Sequence, residues 1–560
     1  MCLVQRDADK RVTASRLEKG IRLGPEVIHG REVMTAGESS QSPPSRRKKQ
    51  PGRSLKRIGS VTAAIAVLYL LLLIPFDDRD HVPAVGGRAV KQPFVWDQDE
   101  YWEALEATYR TLKQGGCTSA VPALSSKFQK AKRILHEIDE ARTYPDDPVY
   151  RELEAVVFEM GTVVGACNRQ VTDYLGLIAD MRTIIKKRSA DWDMNSASTR
   201  ITLYRLLYGS RAAAEEVILQ TPAGTVPKLV PGKDEPARTP WADVRNVRIH
   251  SGDILVSRGG APTSALIARG SDYPGNFSHI AFVYVDPATR TPYIVESHIE
   301  RGVVVSTVEQ YLEDKKLRVM LLRLRKDLPQ LTKDPMIPHK AAEIAYNNAT
   351  KKHIPYDFEM NYREHSKLFC SEVASAAYET FGVKLWMGIS HLSSPGLQRW
   401  LSDFGVRYFE TQEPSDLEYD PQLVVVAEWR DPETLKKDHY DNAVTEVMLA
   451  GAEEGDELSY QWYLLPVVRL AKAYSVVLNL MGKAGPVPEG MTSTSALRNV
   501  WYSDKHETML VRLSAKAAQF NREQGYAPPY WELVNLARSA KTEIEREQPR
   551  WRKRSVLHGN

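Results

Sequence analysis

The stretch Asn276-Phe-Ser-His-Ile-Ala-Phe-Val-Tyr-Val285 turns at His279 from polar residues into an apolar, β-prone run. Downstream, Lys367-Leu-Phe-Cys-Ser-Glu-Val-Ala374 places Cys370 at the start of a segment with helical period. Between them, Pro292-Tyr-Ile-Val-Glu-Ser297 reads as a short strand carrying a carboxylate. A thiol at a helix N-terminus, an imidazole on one strand and a carboxylate on the next is how nucleophilic cysteine chemistry is commonly assembled.

Outward from these segments the pattern is α+β. Gly252 to Ser257, His279 to Val285, Pro292 to Ser297, Gly302 to Ser306 and Val319 to Leu324 are short β-type runs with turn residues between them. A helix is expected from Pro338 to Asn348 and another from Cys370 to Phe381, with Gly382 as its cap. Leu423 to Trp429 adds one more strand, so the domain spans 246–435.

Each residue of the candidate site has a plainer reading beside the chemical one. Cys370 is either a buried structural thiol or a nucleophile whose thiolate is favoured by the helix dipole and a nearby imidazole. His279 begins its strand, so its ring is expected to face the helix across the sheet; the plainer reading is an edge-strand histidine. Glu296 is the residue to hold the imidazole tautomer, or a solvent-facing carboxylate. His298 shares its face by strand alternation and rivals either role. Asp253, in Gly252-Asp-Ile-Leu-Val256, reads as a structural hydrogen-bonding residue rather than a catalytic one. His279, Glu296 and His298 supply no typical zinc spacing, and no metal or cofactor is expected.

Taken in order, Gly252-Asp-Ile-Leu-Val256, Ser278-His-Ile-Ala281, Val295-Glu296, Tyr356-Asp357 and Phe369-Cys-Ser-Glu372 resemble the circularly permuted papain-like cysteine hydrolases, the YiiX-like relatives of the NlpC-type amidases. In that family the histidine precedes the cysteine, as here. The resemblance covers residues 250–385. It implies a permuted papain-like fold with Cys370 as nucleophile, His279 as base and acid, and Glu296 as the orienting residue. Tyr356 would line the site or its oxyanion region.

The rest of the chain holds and delivers this domain. At 560 residues, about three domains are expected. The net charge is +4, and there is no basic helix face or aromatic-interleaved basic patch, so nucleic acid is not an expected partner. Residues 1–57 are polar and charge-rich and read as a disordered cytoplasmic tail; translation starts at Met1 or Met34. Residues 58–76 carry no charge, follow Arg46 to Arg57 and precede Asp77 and Asp78. This is a transmembrane anchor with its N-terminus inside, favoured over a cleaved signal because the apolar run is long and no good small-x-small site follows. Residues 95–220 show helical period, 221–245 read as a Pro-rich linker, and 436–556 are helical again. Within the last region, Leu458 to Met481 is expected to be a core helix, with a membrane-surface helix as the rival. The basic end Arg550 to Arg554 is a solvated tail, with contact to anionic lipid as its rival.

The four cysteines form no C-x-x-C. Outside the cytoplasm Cys117 and Cys167 would form a disulfide tying two helices; two buried thiols is the equal alternative.

These readings converge on a membrane-anchored cysteine hydrolase of the cell envelope, at the cytoplasmic membrane with its catalytic domain outside. Its substrate would be an amide in a cell-wall peptide, or alternatively a lipid or acyl ester. The reading from a different class is a non-catalytic envelope scaffold.

Overall fold

The structure, a computed structural model, describes residues 66–74 and 92–547. It divides into two compact units, Met1–Asp78 with Trp462–Pro466, and Arg79–Gln461 with Val467–Asn560. In the first unit residues 66–73 are helical, with Val67, Leu68, Leu70 and Leu71 exposed. The Tyr69 hydroxyl donates to the Tyr463 carbonyl at 2.9 Å. The remainder of the expected anchor, the tail 1–57 and the basic segment 550–554 lie outside the described residues.

The second unit is organised on a seven-stranded antiparallel sheet: β1 (Leu229–Pro231), β2 (Ile254–Gly259), β3 (His279–Val285), β4 (Pro292–His298), β5 (Gly302–Thr307), β6 (Lys316–Leu324) and β7 (Leu423–Arg430). The spatial order is β1-β7-β6-β2-β3-β4-β5. Each strand expected from the sequence is present. Ile280, Phe282 and Val295 pack with the helices Ile337–Lys351 and Cys370–Glu379 on one face. On the other face Ala281, Val283 and Ile294 pack with Val247, Ile249 and Tyr311, from the hairpin 241–250 and the short helix Val308–Glu313.

The segment 221–245 is not only a linker. It supplies β1, paired antiparallel to β7, and one arm of the hairpin, Trp241–Val244. Proline is compatible with this because β1 is an edge strand, where Pro231 needs no amide to donate inward.

The N-terminal region is helical, with α1 (Asp99–Gly115), α2 (Val121–Glu140), α3 (Pro148–Cys167), α4 (Val171–Arg188) and α5 (Gly209–Gln220) as its main elements. Leu124, Phe128, Ala131, Leu135 and Ile138 illustrate why: three- and four-residue spacing puts them on one buried face of α2. Cys117, just past α1, is joined to Cys167 at the end of α3 by a disulfide. The C-terminal region contributes Pro432–Glu453, Ser493–Gln524 and Tyr530–Glu547.

These two helical regions dock on the sheet domain through desolvated charge. Arg318 of β6 pairs with Glu215 of α5 and with Asp438 of Pro432–Glu453. Arg211 of α5 pairs with Glu418 and with Glu428 of β7. Removing one partner of such a pair costs about 3–5 kcal/mol, because the other charge is left buried.

The expectation of a core helix near 458–481 is overturned. Trp462–Leu480 is the one helix among the described residues long and apolar enough to cross a membrane, and it is mostly exposed. Leu470 is 60% exposed and Leu480 84%. A core helix would hide those side chains.

Candidate active site

Cys370 is the first residue of the helix Cys370–Glu379, which we call α6. Phe369 is extended, and its amide donates to the carboxylate of Glu372 at 2.9 Å, so the glutamate three residues on caps the helix. The segment is fixed from two sides. The Ser297 hydroxyl on β4 donates to the Leu368 carbonyl at 2.6 Å, and the Leu368 amide donates to the Pro355 carbonyl at 3.0 Å. The second contact brings Tyr356 beside the cysteine, where burial and then the Cys370 sulfur hold its phenol well above the usual range.

On the next strand pair, His279 Nε2 lies 2.7 Å from Glu296 Oε2. His298 Nε2 lies 3.1 Å from Glu296 Oε1, without hydrogen-bond alignment, and the Ser306 hydroxyl reaches the same oxygen at 3.4 Å. The register Ala281↔Glu296 makes this possible: His279, Ala281, Glu296 and His298 alternate onto one face. Glu296 is 2% exposed. Burial opposes its charge, but the His298 and His279 imidazoles outweigh burial and hold the carboxylate well below its usual range. Burial likewise opposes charging of His298, and Glu296 reverses that, raising it. Burial lowers His279 despite Glu296.

These three shifts divide the work. Glu296 is ionised and its charge is balanced chiefly by His298. Nε2–H donates to the Glu296 carboxylate, so in the neutral ring the lone pair of His279 lies on Nδ1. Nδ1 makes no hydrogen bond among the described residues.

The structure differs from the sequence expectation in how the two halves meet. Alternation sends Ile280, not His279, onto the α6 face. No hydrogen bond joins Cys370 to His279 among the described residues. What approaches the sulfur is the Ile280 amide, in the peptide that directly follows His279. The thiolate expectation also changes. Burial pushes the Cys370 thiol up to about 11, against the opposing Ile280 and Ser371 groups. At pH 7 the thiol form therefore predominates. The helix dipole does not overcome desolvation here.

Two further carboxyl groups border the cysteine. Burial raises Glu372 to about 9 against the Phe369 amide, and His365 Nδ1 lies 3.3 Å from it. Burial, then Asp416, holds Glu413 well above the carboxylate range, and Glu413 in turn adds to the electrostatic cost of a Cys370 thiolate. The three-residue offset of Glu372 from Phe369 is a legible capping signal; Glu413 sits in a loop with no motif. Asp253 has the structural place expected of it, accepting from the His250 amide at 2.7 Å and bidentately from Arg323. Among the described residues no cluster of three or more His, Cys, Asp or Glu side chains is arranged to hold a metal.

Residues 248–427 match the family model of the permuted papain-like amidase enzymes, YaeF/YiiX, C92 family. The match contains Cys370, His279, Glu296 and Tyr356 and leaves both helical regions outside. Among solved structures, the metalloprotein YiiX from Escherichia coli O157:H7 is 19% identical over 32% of this chain and 98% of its own, with a TM-score of 0.27, a likeness too slight to argue from. No curated protein matches the chain.

Proposed function

We propose that the permuted papain-like domain is a thiol amidase with Cys370 as nucleophile and His279 as its base. The observation that carries this is the thiol at a helix N-terminus lying against the peptide that follows His279, whose ring is held by the buried carboxylate of Glu296. At the end of β3, where His279 opens the strand, the S–H proton passes to Nδ1, directly or through one water, as Sγ bonds the substrate carbonyl carbon. The carbonyl π electrons move to oxygen, which the Cys370 amide at the helix terminus stabilises. His279 returns its proton to the leaving nitrogen, the C–N bond breaks, and a thioester remains. Water, deprotonated by the same nitrogen, attacks the thioester; the acid leaves and the thiol is restored.

Glu296 orients His279, and Tyr356 donates near the oxyanion. The substrate is a peptide of the cell wall, and the enzyme works outside the cytoplasmic membrane, anchored by 58–76. Support for this location comes from the uncharged run of that segment, the exposed apolar helix 66–73 and the Cys117–Cys167 disulfide. A lipid or acyl-ester substrate is the second reading, favoured by the exposed apolar side chains of Trp462–Leu480.

A Cys370→Ala trap incubated with muropeptides and with envelope lipids, then analysed by mass spectrometry, separates the two. Muropeptide retention supports the first, and retention of lipid alone refutes it. Retention of neither by the Cys370→Ala protein, together with turnover of neither by the wild-type protein, would favour a scaffold.

A further inference from the structure

The helix Leu465–Leu480 and the segment that follows it form a hairpin. Gly482 turns the chain in the left-handed region, and residues 483–490 run back along the helix. The Lys472 ammonium donates to the carbonyls of Pro488 at 2.9 Å and Glu489 at 2.8 Å. The Ser475 hydroxyl accepts from the Val487 amide at 2.9 Å. The return arm is fixed in turn to the loop that carries Tyr356. His353 Nε2 lies 2.7 Å from Glu489 Oε1, and a β-carbon at Gly490 would stand 2.5 Å from the Phe358 ring.

The return arm covers one side of the helix only. Val467, Leu470, Tyr474, Val477 and Met481 recur at three- and four-residue spacing and make one exposed stripe, with Leu480 beside it. Tyr474 is 59% exposed and Met481 58%. Apart from the Tyr474 phenol the stripe offers no polar group. A contiguous apolar face of this kind marks a contact surface.

Charge and connectivity select lipid as the partner. From Leu458 to Pro488 there is no Asp or Glu, while Arg469, Lys472 and Lys483 are present. Helical spacing puts Arg469 and Lys472 outside the stripe, and Lys483 is exposed just past the turn. An apolar face flanked by cations is the pattern of a helix lying at an anionic membrane surface. Val467 also directly follows Pro466, the last residue of the compact unit that holds the apolar helix 66–73, a point that rests on reading 58–76 as a membrane anchor. The hairpin does not cross the bilayer. His506 Nε2, on Ser493–Gln524, lies 3.2 Å from the Asp441 carbonyl, on Pro432–Glu453, so the helices before and after the hairpin belong to one packed body. The return arm, with Pro486 and Pro488, is irregular backbone that hydrocarbon does not tolerate, so only the outer face of the helix meets lipid.

We propose that the outer face of this hairpin lies in the headgroup and upper acyl region of an anionic lipid bilayer, with Leu470, Tyr474 and Val477 inserted and Arg469 and Lys483 beside the phosphates. A second copy of the chain on the same stripe would set one cationic hairpin against another.

The test reconstitutes the full chain with vesicles of phosphatidylcholine, alone or mixed with phosphatidylglycerol. The photo-crosslinking residue p-benzoylphenylalanine is introduced in place of Leu470, of Val477 or, as a control, of Val511, an exposed apolar residue on Ser493–Gln524. Illumination and mass spectrometry then identify what each position touches. Positions 470 and 477 are expected to give lipid adducts about tenfold or more above position 511, and more in the mixed vesicles than in phosphatidylcholine alone. Circular dichroism and thermal melting establish that each variant is folded. Flotation of the wild-type chain with the vesicles reads the anchor separately. A chain that floats without lipid adducts at 470 and 477 overturns the proposal and leaves the anchor reading standing; a chain that does neither overturns both. Adducts with a second copy of the chain, lipid yields no higher than at 511, or equal yields in the two vesicle compositions also overturn the proposal.

Discussion

His279 Nε2 and Glu296 Oε2 lie 2.7 Å apart, and the second oxygen of that carboxylate faces His298. The carboxylate therefore serves two imidazoles at once, fixing the tautomer of one and sharing charge with the other. Glu296→Gln is expected to lower kcat/KM by about 10²–10⁴-fold, as loss of a tautomer-holding carboxylate does in comparable triads. The sign of the accompanying shift is fixed: losing an anion beside His279 lowers its pKa further below the ordinary value, which NMR titration of the ring would read. An unshifted His279 in a folded variant would contradict the pairing.

Alkylation of Cys370 by iodoacetamide should follow a pKa near 11, not one in the acidic range. Burial disfavours the charged form, so the thiol persists through neutral pH and labelling climbs only under alkaline conditions. Rapid labelling at pH 6 would instead indicate a resting thiolate–imidazolium pair.

The acidic limb of the activity profile should lie below the ordinary histidine value, because burial lowers His279 and favours its neutral, basic form. A pH–kcat/KM profile whose acidic limb lies above 7 would show that another group carries the proton.

Tyr356→Phe keeps the ring and removes the hydroxyl. If that hydroxyl faces the developing oxyanion, kcat falls by about 10²–10³-fold while KM changes little. Steady-state kinetics separate this from a packing role, which would move stability and leave kcat intact.

The Cys117–Cys167 bond closes a long loop, with a sequence separation of 50. Replacing both cysteines with serine is expected to cost about 4 kcal/mol of stability and to leave Cys370 chemistry in place. Denaturant unfolding measures the first and the alkylation profile the second.

Much of this was legible in the residues. Strand and helix periods around His279, Glu296 and Cys370 were strong because each element buries one face in a shared core. What stayed hidden is three-dimensional. Whether His279 or Ile280 faces α6 depends on strand phase at a single residue. The thiol pKa depends on how deeply Cys370 is buried, which its own tetrapeptide does not encode. Glu413 acts electrostatically on the cysteine from a loop 43 positions downstream, with no motif to announce it. Pro231 concealed an edge strand, because proline counts as a breaker until its place in the sheet is known. The apolar run after Trp462 looked like core, since composition does not say whether protein or something else covers it.

The central claim is a thioester on Cys370, and trapping it is the most direct test. The full chain is mixed with 4-nitrophenyl acetate, acid-quenched on the millisecond scale, digested and analysed by mass spectrometry. The account predicts an acetyl adduct on the peptide containing Cys370, slower to form in His279→Ala and absent in Cys370→Ala. Acylation confined to another residue, or turnover undiminished in Cys370→Ala, would contradict it.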